Sequence, residues 1–189
     1  MTKIFRPTET LLPGYADAQE RGWSPNNVDP ARTAAAHLAA TAEDPAGFVA
    51  SLEDLEAKGA PIVLPDGRAV PRLPGFARWI WQDGFCGSLS FRFQPGTSRL
   101  PSHVLGHIGY SIVPWRRREG HATRALALLL EEISRFGLSH VSLTVDPENT
   151  ASQKVIEANG GVFEDIFECD PSYGGCTQHL YRIVLGSRP

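Results

Sequence analysis

The chain of 189 residues has no apolar run long enough to cross a bilayer. Its longest strongly apolar stretch, Ala125 to Leu130, falls far short of the roughly 20 residues a spanning helix needs. The opening Met1 to Glu9 has no apolar core of the signal-peptide kind, so the expected location is cytoplasmic, with no membrane partner. Basic charge is not in excess: 18 Lys and Arg against 21 Asp and Glu give a net charge of -3, which offers no case for a nucleic-acid partner. Cysteine is scarce, and Cys86, Cys169 and Cys176 match no zinc or redox spacing. Cys169 and Cys176 flank a Pro/Gly-containing loop and could face each other across a hairpin, but the expectation is three reduced, buried or half-buried thiols. Repeats are absent. So are Gly-x-x-x-x-Gly-Lys and Gly-x-Gly-x-x-Gly, which removes support for the nucleotide-binding families built on those loops.

What is present is a globular composition, 42% hydrophobic and 21% charged, in a length that suits one domain. The first third reads as helical. Thr10 to Arg21 and Ala31 to Ala42 are alanine-rich, and Pro45 to Lys58 places Phe48, Val49, Leu52 and Leu55 at helical spacing. Gly59 to Gly75 reads as turns with a short extended piece at Ile62 to Leu64. From Phe76 the pattern changes to short aromatic strands, Arg78 to Gln82 and Phe85 to Phe93, joined by the Asp83-Gly84 turn. Gly106 to Val113 is a further strand, ended by Pro114.

The clearest helix follows, with Leu126, Leu129, Leu130 and Ile133 on one face and Gly137 beyond its end. Val141, Leu143 and Val145 alternate with polar residues as in a half-buried strand. Asn149 caps a short helix containing Val155 and Ile156, and strands near Val162 to Glu168 and Gln178 to Leu185 finish the chain. The last two thirds therefore run β-β-β-α-β-α-β-β, a mixed α/β sheet with helices packed on it.

The chemically informative segment is Arg116-Arg117-Arg118-Glu119-Gly120-His121-Ala122-Thr123, a basic loop entering a helix. Gly120 and Ala122 have almost no side chain, so a ligand can approach the backbone. The first helical turn offers N–H groups that lack intrahelical acceptors, at the positive end of the helix dipole. Together they make a cradle for a phosphate or pyrophosphate.

Arg117-x-x-Gly120-x-Ala122 resembles the Arg/Gln-x-x-Gly-x-Gly/Ala signature of the GNAT superfamily of acyl-CoA N-acyltransferases. Gly109-Tyr110-Ser111-Ile112-Val113-Pro114 is similar to the superfamily's fourth strand, and Asn149-x-x-Ser152 with Asn159-Gly160-Gly161 to its later helix motif. The likeness covers about Phe76 to Leu185. Gly22-Trp23-Ser24-Pro25 and Gly106-His107-Ile108-Gly109-Tyr110 also resemble a prokaryotic subgroup whose acceptor is generally unassigned.

The resemblance implies one GNAT-like domain over 1–189, with 76–185 as the acetyl-CoA-binding core and the helical 1–75 shaping the acceptor site. It implies acetyl-CoA as co-substrate, with its pyrophosphate on the backbone of Arg117, Arg118, Glu119, Gly120, His121, Ala122 and Thr123. Ile112 and Val113 would pair with the pantetheine arm, and Asn149 and Ser152 would lie beside it. The side chain of His121 is expected at the surface or the cofactor edge. The activity implied is transfer of an acetyl group to a primary amine by direct attack in a ternary complex. The alternative is a GNAT-fold module that binds acetyl-CoA without turnover. A homodimer is compatible with the family.

The sequence departs from family patterns at both catalytic positions. Where many members carry a glutamate on the fourth strand, this chain has Gly106 and His107, and the tyrosine position of the last motif helix is Ile156. His107 is the substitute candidate for the base, since imidazole titrates near neutral pH. Tyr173, and behind it Tyr181, are candidates for the acid. His103 and His107 lack a third ligand, so no metal is expected. Cys86 has no activating partner for a thiol relay. Trp23, Trp79 and Trp81 are candidates for acceptor-site walls or for core packing.

Overall fold

The computed structural model describes residues 1–173 and 175–186, and every structural statement below is made of them. Three helices, α1 (Leu12–Glu20), α2 (Pro30–Glu43) and α3 (Pro45–Ser51), form the N-terminal part. They are preceded by strand β1 (Lys3–Phe5), which sequence patterning does not reveal. The expected helix over Pro45 to Lys58 stops at Ser51, and Glu53–Asp54 forms β2 instead. The Asp54 carboxylate then accepts the N–H groups of Lys58 and Gly59, closing a turn. Two short strands, β3 (Ile62–Val63) and β4 (Ala69–Val70), make a separate hairpin.

The central sheet has the order β1-β5-β6-β7, with β5 at Gly75–Trp81, β6 at Phe85–Arg92 and β7 at Ile108–Ile112; β2 also pairs with β5. Neighbours are antiparallel throughout. A second sheet, ordered β8-β10-β9, is built from β8 (His140–Val145), β9 (Val162–Glu168) and β10 (Thr177–Val184). Helices α4 (His121–Ile133) and α5 (Thr150–Glu157) connect β7 to β8 and β8 to β9. The mixed α/β architecture and the β-β-β-α-β-α-β-β order of the last two thirds are as expected.

Two cores result. Alternate residues of β6 (Leu89, Phe91) and β8 (Val141, Leu143, Val145) meet Ala125, Leu126, Leu129 and Ile133 of α4 in the larger one. The i, i+3, i+4, i+7 stripe of α4 thus buries against both sheets. On the opposite face, Tyr15, Trp23, Phe48, Trp79 and Phe85 form an aromatic cluster, with Tyr15 stacked on Trp79 at 4.7 Å. Trp23 and Trp79 are therefore core residues, and Trp81 packs at the margin of the same cluster.

Arg78 is 7% exposed yet fully paired. It reaches Glu132 of α4 at 2.5 Å and Glu53 of β2 at 3.1 Å, tying helix, edge strand and sheet together. One expectation is overturned: Cys169 and Cys176 are bonded as a disulfide, with Cα atoms 5.3 Å apart. The hairpin between β9 and β10 brings them opposite each other, and Cys169 N–H also donates to Cys176 O. Only Cys86 is a free thiol, buried, with its pKa pushed up chiefly by desolvation.

Candidate active site

The two sheets face each other across unpaired edges. β7 ends one sheet and β8 ends the other, and no ladder joins them. They are joined at one end: His107 N–H donates to Ser142 O at 2.8 Å, Ser142 N–H donates back to His107 Nδ1 at 2.9 Å, and the Thr144 hydroxyl donates to Leu105 O. Imidazole here takes the place of the next ladder carbonyl. Beside it, Gly106 (φ 151°) lies so close to β8 that a Cβ would come within 3.0 Å of Ser142 O. From this apex β7 and β8 run on without pairing, leaving a wedge.

Which backbone groups line the wedge follows from antiparallel alternation. Val113 N–H donates to Cys86 O, and Arg92 N–H donates to His107 O. Residues 113, 111 and 109 therefore turn their backbone toward β6, while 112, 110 and 108 turn theirs toward the wedge. This corrects the expectation for Val113, whose amide is committed to β6 and whose side chain is fully buried. Ile112 keeps an edge position, though its carbonyl already accepts from Arg117 Nε at 3.3 Å.

Past β7 a 3-10 turn, Pro114–Arg116, delivers the basic loop to α4. Gly120 is the helix N-cap at φ 75°, a left-handed conformation that favours glycine. The first intrahelical bond runs from Arg124 N–H to Gly120 O, so the N–H groups of His121, Ala122 and Thr123 lie ahead of the helical ladder. Arg117, Arg118, Glu119 and Gly120 are exposed around them.

His121 does not lie at the surface: it is 2% exposed. Its Nδ1 is 2.9 Å from Thr2 Oγ1 and its Nε2 is 3.0 Å from Glu119 Oε2. Thr2 also accepts from Arg124 Nε at 2.8 Å. The N-terminal strand therefore stitches the loop to the helix from behind, and the His121 ring braces the cradle from inside. The bond to His121, then those to Arg116, hold the Glu119 carboxyl below its ordinary pKa.

Across the wedge, Asn149 Oδ1 caps α5 by accepting Ser152 N–H at 3.1 Å. Tyr110, which the sequence does not mark as a site residue, reaches over from β7 and donates its hydroxyl to Ser152 O at 3.2 Å. Burial raises its pKa, so the phenol stays protonated at neutral pH. Its strand position gave no hint of this contact, which depends on where α5 docks.

The candidate catalytic pair is not brought together in one open pocket. His107 is fully buried, and its pKa is depressed to about 4, first by desolvation and then by the charges of His140 and Arg92. Because Nδ1 accepts a backbone N–H, the neutral ring carries its proton on Nε2, which is buried without a partner. Such a ring is poorly set to accept a proton at neutral pH. Tyr173 follows Cys169 in the disulfide loop, where its hydroxyl donates to His103 O at 3.0 Å. Tyr181 donates to Glu157 from the α5 side, and Ile156 is buried. No group of three or more potential metal ligands occurs among the described residues.

A cavity of about 430 Å³ opens under the segment Ser98–Gly106, on the face of the second sheet that includes Ser142, Thr144, Asp165 and Arg182. No helix among the described residues is long and apolar enough to cross a membrane.

Residues 16–162 match the family model described as "Acetyltransferase (GNAT) domain", and the chain belongs to that family. Its class is that of the GNAT acetyltransferases.

Solved structures similar to it include RimL, a ribosomal L7/L12 α-N-protein acetyltransferase in complex with coenzyme A, at 15% identity and TM-score 0.62, covering 97% of this chain and 94% of that one. Mycobacterium smegmatis RimJ, in complex with CoA-disulfide, aligns at 21% identity and TM-score 0.61 over 97% of this chain and 81% of its own. The microcin C7 self-immunity acetyltransferase MccE, in complex with acetyl-CoA and AMP, aligns at 12% identity and TM-score 0.57 over 97% and 92%. At these identities the likeness is one of fold. No curated protein sequence matches the chain.

Proposed function

We propose that this protein transfers the acetyl group of acetyl-CoA to a primary amine by direct attack within a ternary complex. The observation that carries this reading is the wedge between β7 and β8, closed at His107–Ser142 and leading toward the cradle at α4. The fit of the cofactor rests on chemistry in this chain. Pyrophosphate suits the first-turn amides of His121, Ala122 and Thr123 with Arg117 and Arg118 beside them. The pantetheine arm suits the edge groups of Tyr110 and Ile112, adding to the sheet as a strand would. Asn149 and Ser152 border it on the α5 side.

An amine attacking a thioester must shed a proton, and the departing sulfur is best protonated as it leaves. Tyr110 is the proton donor we favour for the thiolate: it projects beside the wedge, keeps its proton at neutral pH and touches Ser152. His107 serves as a neutral joint that fixes the apex, and Tyr173 holds the His103 carbonyl at the acceptor side. The cavity beneath Ser98–Gly106 supports an acceptor entering from the face opposite α4.

Calorimetric titration with acetyl-CoA tests the cofactor assignment, with Gly120→Glu as control. The added side chain would both strain the left-handed position and place a negative charge in the cradle. Micromolar binding lost in the variant is the expected result. A folded wild-type protein that binds no acetyl-CoA would refute the proposal.

A further inference from the structure

Arg92 is a half-buried cation with no carboxylate beside it. It lies on β6 next to Phe91, and alternation puts it on the sheet face opposite α4, with Ser88 and Ser90. Its guanidinium donates to Gly106 O through Nη1 at 3.3 Å and to Ser90 Oγ through Nη2 at 3.1 Å, both neutral acceptors. A guanidinium has five N–H donors, so most of its capacity is unused. Contrast Arg78 on β5, buried on the other side of the sheet and satisfied by two glutamates. Desolvation lowers the pKa of Arg92, as expected for a charge sheltered from water without a counter-ion.

Position gives this cation a task. Its backbone N–H holds His107 O at the wedge apex, and its Nη2 would be 3.8 Å from a Cβ on Gly109. Since Gly109 has no side chain, the guanidinium reaches the middle of β7 with only the Ser90 hydroxyl, to which it donates, alongside. Gly106, whose carbonyl it holds, also lines the cavity under the Ser98–Gly106 segment. The pyrophosphate cradle lies beyond the far end of β7, more than about 10 Å along the strand from Gly109, so the cofactor's own phosphates are not the partner.

We propose that Arg92 is a specificity-determining residue that binds a carboxylate of the acceptor, making the substrate an amine that carries an anionic group near the nitrogen to be acetylated. The inference rests on the acetyltransferase reading above. Planar, bidentate pairing of guanidinium with carboxylate would fill the unused donors and position the amine at the thioester. The carboxylate can come from a free amino acid or from an acidic side chain close to a peptide N-terminus.

The test compares matched acceptors by CoA release. Free α-amino acids are set against their C-terminal amides, and amidated Ser-Asp against amidated Ser-Ala. Wild type should favour the carboxylate-bearing member of one pair by about tenfold or more in kcat/KM. Preference within the first pair identifies free amino acids, and within the second an acidic peptide. In Arg92→Gln the preference should collapse, and in Arg92→Lys it should be partly kept, while acetyl-CoA affinity by calorimetry stays unchanged. Equal use of both members by wild type, or an undiminished preference in Arg92→Gln, overturns the proposal.

Should every acceptor prove inert, the Arg92 Nε–H resonance of 15N-arginine-labelled, CoA-loaded protein is followed during titration with N-acetylalanine, N-acetyl-Ser-Asp amide and their uncharged counterparts. A shift with a carboxylate alone supports the assignment, and no shift with any of them overturns it. Failure of wild type to bind acetyl-CoA would instead refute the acetyltransferase reading itself.

Discussion

His107 makes a prediction about pH that separates a structural joint from a proton acceptor. Lowering the pH forces the folded chain to accept a proton on a ring whose Nδ1 already receives the Ser142 N–H and whose surroundings exclude water. The folded-state pKa is about 4, against 6.5 for the free side chain. Between those values the unfolded chain binds the proton and the folded chain does not. Stability is therefore complete above pH 6.5 and declines as the pH falls toward 4. The difference amounts to about 3 kcal/mol at most, since each pKa unit is worth roughly 1.4 kcal/mol.

Urea unfolding measured from pH 8 to pH 4, on wild type and on His107→Asn, reads this directly. Asparagine keeps a side-chain acceptor for Ser142 and does not titrate, and its smaller volume adds a cost that is the same at every pH. The gap between wild type and variant should close by about 3 kcal/mol over that range. Parallel curves would refute the reasoning, as would an NMR titration placing His107 near 6.5. In either case the ring would again be a credible base at neutral pH.

Arg78→Ala removes the buried cation of this network and leaves Glu53 and Glu132 to the more exposed Arg6 and Arg135, so chemical denaturation should show a loss of about 2–3 kcal/mol, below the full cost of stranding a buried charge. For Cys169→Ser, loss of the short disulfide-closed loop should cost about 2 kcal/mol. Wild type in reductant should then melt with the variant, and no effect of reductant would mean the bond contributes nothing. Asn149→Ala should cost about 1 kcal/mol through the lost N-cap and weaken acetyl-CoA binding in calorimetry, whereas Asn149→Asp should restore the stability but not the affinity.

Local patterning made much of the molecule legible. The apolar stripe of α4, the alternation of β8, the Asn149 cap and the small residues around Gly120 are features of neighbouring residues, and short-range sterics and hydrogen bonding settle them before any tertiary contact forms. They were enough to give the glycine start of α4 and the order of the last two thirds. Elements that depend on distant partners were not legible. β1 is three residues whose strand state exists only because Trp79, Ile80 and Trp81 lie alongside. His121 looks like a surface loop residue until Thr2, 119 residues away, covers it.

The wedge itself belongs to the tertiary structure. Nothing local marks His107 as the point where pairing between the two sheets begins and ends, because the acceptor it supplies is for a backbone N–H 35 residues further on. Pairing of Cys169 with Cys176 needed the hairpin register to bring their Cα atoms together. Arg92 reads as an ordinary polar position on an alternating strand. Only packing shows that it is sheltered without a carboxylate, while Arg78 was given two. The sequence by itself determined α4 and α5, the Asn149 cap and the glycine start of α4, since these are written in residues within a few positions of each other. Where the sheet opens, which side chains are sealed and which cation is left without a carboxylate were decided by contacts across tens of residues, which no periodicity encodes.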